Sequence, residues 1–160
     1  MKHLKMILAV LAIVLVSGTC YADSPTSEDL ENYKSSLMAY VRMQGYTPKL
    51  DSDGDIQFKH DGDTYWVQAV PYDDGYYVTV MTSTSIDGYN INNIRQAMDD
   101  AVRSLKYVRM YTSSSRKSIV TEYNWYCVSV NDFKRMFENA LSVVTTCENR
   151  FVKNFIALED

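Results

Sequence analysis

Asp51, Asp53 and Asp55 alternate along the chain on either side of Ser52 and Gly54. Carboxylates at alternate positions can converge on a hard cation such as calcium. A full EF-hand loop would continue with Gly at its sixth position and a bidentate Glu at its twelfth, where this chain has Ile56 and Gly62. The stretch therefore reads first as an Asx-rich reversing turn. A second acidic turn follows at Asp73-Asp74. In an antiparallel meander alternate turns lie at the same end of the sheet. Asp51, Asp53, Asp73 and Asp74 are thus the candidate metal rim of an alternative reading, a small-ligand or calcium-associated envelope domain that uses its acidic turns.

Other chemistry is poorly supplied. His60 is the only histidine beyond residue 22, and a lone His beside a turn lacks the neighbours a zinc site needs. Cys127 and Cys147 sit in apolar patterns, where burial raises the thiol pKa and quenches nucleophilicity. No Gly-x-Ser-x-Gly elbow is present. No catalytic residue is assigned, no cofactor is expected, and a non-enzymatic role is the reading.

That leaves surfaces. Trp66, Tyr76, Tyr77, Tyr123, Trp125 and Tyr126 fall in strand-like runs, whose side chains alternate between faces. Some must point away from any covering helices, and exposed aromatics are what protein partners use as anchors. Trp66, Tyr77 and Trp125 are the candidate partner-binding residues, for a protein or peptide or for a second copy of the chain in a homodimer.

The elements that position these residues follow from periodicity. Thr26 and Asp29 form a capping-box-like start, Gly45 marks a stop, and Leu30, Tyr33, Leu37 and Val41 recur at helical spacing, predicting a helix over 27–44. Strands are predicted over 46–50, 55–60, 64–70 and 76–83, each separator carrying Gly after Asp. Asn90 introduces a second amphipathic helix ending near Leu105. Strands over 106–112 and 118–130 form a hairpin, and Asn131 or Asp132 caps a long final helix. The order is helix, four-stranded meander, helix, hairpin, helix. It predicts an α+β domain with its helices on one face of an antiparallel sheet.

Cys127 would lie about three residues, or ~10 Å, back along its strand, and Cys147 some 15 residues, or ~22 Å, along the following helix. That offset of ~12 Å exceeds the Cα separation of under ~7 Å that a disulfide spans, so two buried thiols are expected.

Asp53-Gly54-Asp55-Ile56-Gln57-Phe58 and then Tyr65-Trp66-Val67 resemble the opening meander of the YbjN family, whose fold is similar to that of type III secretion chaperones. The resemblance continues through the Asn90–Leu105 helix, the Lys106–Tyr111 strand and the last helix with Asp132, Phe133, Phe137, Ala140, Leu141 and Phe151. It covers residues 27–156 as a match of pattern and element order. It implies a small non-catalytic domain that binds partners or acts in regulation, with no shared active site.

Lys2 and Lys5, the apolar run Met6–Val16 and the small residues Cys20 and Ala22 predict a signal peptide over 1–22. The run is too short for a stable anchor across a ~30 Å hydrocarbon core. Cys20 lacks a lipobox context, having Ser17 and Thr19 before it. Residues 23–160 would then be one exported domain, periplasmic or extracellular, with no membrane anchor. Losing two lysines moves the formal charge from −4 to −6. No Lys/Arg stripe offsets that charge along the sequence, so nucleic acid is an expected non-partner.

Overall fold

The computed structural model describes residues 24–159. The predicted signal peptide lies outside them. The first helix, α1 (Ser27–Met43), begins at the expected box: the Thr26 hydroxyl accepts from the Asp29 amide at 3.2 Å, and the Asp29 carboxylate accepts from the Thr26 amide at 2.9 Å. It buries Tyr33, Leu37 and Val41, one residue per turn on a single face. Gly45, at φ 92, supplies the left-handed conformation that ends it.

Six strands form one antiparallel sheet: β1 (Lys49–Leu50), β2 (Ile56–His60), β3 (Asp63–Tyr72), β4 (Gly75–Ser85), β5 (Val108–Thr112) and β6 (Ser118–Cys127). Their spatial order is β1-β2-β3-β4-β6-β5. The meander is as expected, and the later hairpin joins it through β6 on β4. The first strand is much shorter than the expected 46–50. Pro48, just before it, has no N–H to give a ladder.

β6 ends at Cys127 rather than 130, and Pro71, which the sequence places in a turn, lies inside β3, opposite Tyr76. Proline is tolerated there because β2 begins at Ile56, opposite Val67, so β3 has no partner on that side from Gln68 onward. The hairpin consequently tightens to the two residues Asp73-Asp74, with Asp73 at φ 52.

Two more helices, α2 (Ile91–Val102) and α3 (Val130–Glu159), join α1 on one face, giving the expected α+β architecture. The cap of α3 is Ser129 rather than Asn131 or Asp132. Its amide and hydroxyl both donate to the Asp132 carboxylate, at 2.9 and 2.8 Å.

The core divides in two. The larger part packs α1 and the first half of α3 on β2, β3, β4 and β6, around Leu37, Phe58, Tyr65, Val78, Phe133 and Phe137. The smaller packs α2 against the second half of α3 around Ile94, Ala97, Ile119, Cys147 and Phe151. Glu148 lies between them, accepting hydroxyl hydrogen bonds from Thr84 and, at 2.6 Å, from Thr121.

Candidate functional site: the helix-free sheet face

Alternation along each strand sorts the aromatics. On β4, Tyr76, Val78 and Val80 are buried toward the helices, and Tyr77, Thr79 and Met81 face the other way. On β3, Tyr65, Val67 and Ala69 are buried while Trp66, Gln68, Val70 and Tyr72 turn outward. On β6, Thr121, Tyr123 and Cys127 point inward, and Glu122, Asn124 and Tyr126 point outward. The helix-free face therefore carries Trp66, Tyr72, Tyr77 and Tyr126, with Tyr111 of β5 on the same side.

Three of these touch. Val70, Tyr77 and Tyr126 form one cross-strand row, and Tyr72 lies at the hairpin end beside it. The ring centroids of Tyr72 and Tyr77 are 4.7 Å apart, those of Tyr77 and Tyr126 5.9 Å, and those of Tyr72 and Tyr126 6.3 Å. Interplanar angles of 58, 66 and 82° make every contact tilted or edge-to-face, the arrangement ring quadrupoles favour. Tyr72, Tyr77 and Tyr126 are 56, 44 and 38% exposed, and Val70 is 49% exposed.

Gly75 makes the packing possible. A Cβ there would stand 2.4 Å from the Cys127 carbonyl oxygen and 2.8 Å from the Tyr126 hydroxyl. With no side chain at Gly75, the Tyr126 ring lies over the hairpin and its hydroxyl donates to Asp74. The neighbouring carboxylate disfavours phenolate formation, pushing Tyr126 up to about 12.

Farther along the same face a buried carboxylate is tied down. Glu122, 4% exposed, accepts from Arg109 Nε at 2.6 Å, Tyr111 hydroxyl at 2.7 Å and Asn124 Nδ2 at 2.7 Å. Three donors make its burial tolerable. Burial, and then Glu122, push the Tyr111 phenol up to about 12.

Of the predicted partner residues, Trp66 and Tyr77 lie on the helix-free face and Trp125 does not. Trp125 points toward α3, stacked on Phe133 at 6.0 Å with the planes 13° apart. Tyr76 is likewise inward, stacked on Tyr33 at 3.9 Å. Strand register decides this, since each residue step reverses the face. Tyr72 was missed because Pro71 disguised the end of β3 as a turn. The strand-like pattern Val70-x-Tyr72, continuing the outward set of Trp66 and Gln68, was the available signal.

The acidic turns do not share a rim. Beyond Val67, opposite Ile56, β3 runs five more residues to Tyr72. That carries Asp73-Asp74 ~17 Å past the Asp51–Asp55 turn. Within the first turn Asp51 Oδ1 accepts from the amides of Asp53 and Asp55, at 3.0 and 2.9 Å. Asp55 is buried against Gln68 Nε2 at 3.0 Å. Among the described residues no three His, Cys, Asp or Glu side chains are grouped to hold a metal ion.

His60 packs edge-on to Tyr46 and Tyr65, its Nδ1 3.3 Å from the Tyr46 hydroxyl. Cys127 and Cys147 are free, buried and in different halves of the core, burial pushing each thiol up to about 11. No described helix is long and apolar enough to cross a membrane. No family model, curated protein or solved structure matches the chain.

Proposed function

We propose that this chain is an exported, non-enzymatic α+β domain, YbjN-like in its element order, that binds a protein or peptide partner through the helix-free face of its sheet. The observation that carries this reading is the contiguous patch of Val70, Tyr72, Tyr77 and Tyr126. Scattered exposed aromatics are ordinary on a soluble protein, but three rings in mutual contact with an exposed valine make a single apolar platform. Tyrosine suits such a platform because it offers large area with little rotamer entropy to lose. Export rests on the leader-like residues 1–22. The non-enzymatic part is supported by two buried thiols and a histidine occupied by tyrosine contacts.

Cross-strand tyrosines also stabilise ladders, so the test must read binding separately from stability. Peptides selected from a random displayed library on the folded protein should lose at least tenfold in affinity on a Tyr72→Ser/Tyr77→Ser variant of unchanged circular dichroism. Selected peptides that bind the variant equally well would sink the proposal.

A further inference from the structure

We infer that the tyrosine patch recognises a cationic polypeptide segment, an arginine flanked by apolar residues, laid over Tyr72, Tyr77 and Tyr126 beside the Asp73-Asp74 tip. The inference rests on the reading of this face as a docking surface and adds the chemistry of the occupant.

The argument is one of charge complementarity. The exposed rings present electron-rich faces, which attract a guanidinium or ammonium group within ~6 Å of the centroid. The carboxylate nearest them is held in place: Asp74 accepts from the Tyr126 hydroxyl, across the gap that Gly75 leaves. Asp73 stands next to it on the exposed turn. Asp74 also lines a shallow polar groove round the corner of the sheet, with Asp29, Tyr33, Tyr76 and Ser129. Asp132, bonded to the Ser129 cap of α3, lies at that same corner, with Arg135 as its nearby cation.

Positive charge is concentrated elsewhere. Residues 95–117, which span most of α2, β5 and the turn after it, hold six of the chain's 16 Lys and Arg but only two of its 20 Asp and Glu. Arg109, the basic residue on the helix-free face of β5, is taken up by Glu122. Lys59, outward on β2, donates to Gly62 and Thr64 at the start of β3, the far end from Tyr72, so the charges beside the apolar platform are the carboxylates of Asp73 and Asp74. A wholly apolar occupant would strip water from Asp73 and Asp74 without replacing it, and an acidic one would be repelled. Arginine satisfies both halves of the site, since its planar group stacks on aromatic rings and its fork of N–H donors matches a carboxylate.

The test uses a labelled peptide, Leu-Arg-Leu-Arg-Leu, and the same peptide with citrulline for arginine, which keeps the shape and removes the charge. The arginine peptide should bind the folded protein at least tenfold more tightly. It should shift the ring resonances of Tyr72, Tyr77 and Tyr126, and Asp73→Asn/Asp74→Asn should erase the difference between the two peptides. Asparagine at 74 can still accept from Tyr126, so the platform keeps its shape. Equal binding of both peptides, lost in Tyr77→Ser, would overturn the cationic preference while leaving the docking face standing. Binding that leaves the three ring resonances unmoved, or no binding of either peptide at millimolar concentration, would overturn the inference outright.

Discussion

Tyr76 and Tyr77 are adjacent in sequence and have opposite fates, and the two sides of the sheet differ in the same way. On the covered side Tyr76 stacks on Tyr33, Trp125 stacks on Phe133, and Phe133 in turn contacts Phe137 and Tyr40. On the other side Tyr77 contacts its fellow exposed rings and the exposed Val70 opposite it, and Glu122 is kept there by three donors. The strands themselves give five aromatic residues to each side, Phe58, Tyr65, Tyr76, Tyr123 and Trp125 inward and Trp66, Tyr72, Tyr77, Tyr111 and Tyr126 outward. What separates them is whether removing a ring opens a cavity or merely bares the next strand, so aromatics on one side hold the fold and those on the other are free to serve recognition.

The contrast can be broken most forcefully from the covered side. Phe133, fully buried at the junction of α1, α3 and β6, should on replacement by alanine lose about 3–5 kcal/mol, read as a fall in the chemical-denaturation midpoint. Tyr77→Ser, by comparison, should cost no more than about 1 kcal/mol, the scale of a cross-strand pair, while losing peptide binding. A Tyr77 variant as unstable as Phe133→Ala would erase the distinction between the two faces.

Gly75→Ala sits between these extremes, because it attacks the helix-free face through the backbone. Its Cβ would meet the Cys127 carbonyl at 2.4 Å, and a carbonyl in the β4–β6 ladder cannot swing aside as a side chain would. A loss of about 1–3 kcal/mol is expected, together with displacement of the Tyr126 ring. Unchanged stability with an unchanged Tyr126 resonance would show that the hairpin yields more easily than its packing implies.

The smallest effect is electrostatic. Tyr126 has its folded-state pKa raised to about 12 from an ordinary 10.0, so the folded chain holds this proton longer than the unfolded one. The stability this group contributes is fully present below pH 10 and is lost as pH rises from 10 toward 12. In a phenolate absorbance titration, Tyr126→Phe should remove one late-ionising group, and Asp74→Asn should move it earlier. Loss of an early-ionising group in Tyr126→Phe would contradict the Asp74 contact.

Much of the architecture was legible in the residues. The capping box at Thr26, the Asp-Gly turns at 53–54 and 61–62 and the Asn90 cap each act within a few residues, and such local chemistry survives in any context. The cysteine geometry was legible too, since strand and helix rises fix how far Cys127 and Cys147 stand from their shared loop. Legibility stopped where one element answers to another. The end of β2 permits Pro71 to remain in β3, and the extra length of β3 separates the acidic turns that a uniform meander would have brought together.

The amino-acid sequence by itself determined an α+β chain with its helices on one side, two buried thiols and an aromatic-rich sheet, because periodicity, caps and turns are local properties. Tertiary structure alone decided that Tyr72, Tyr77 and Tyr126 meet on the helix-free face while Trp125 turns inward to Phe133. The reason is register: a shift of one residue reverses every side chain of a strand, and register is set by partners far along the chain.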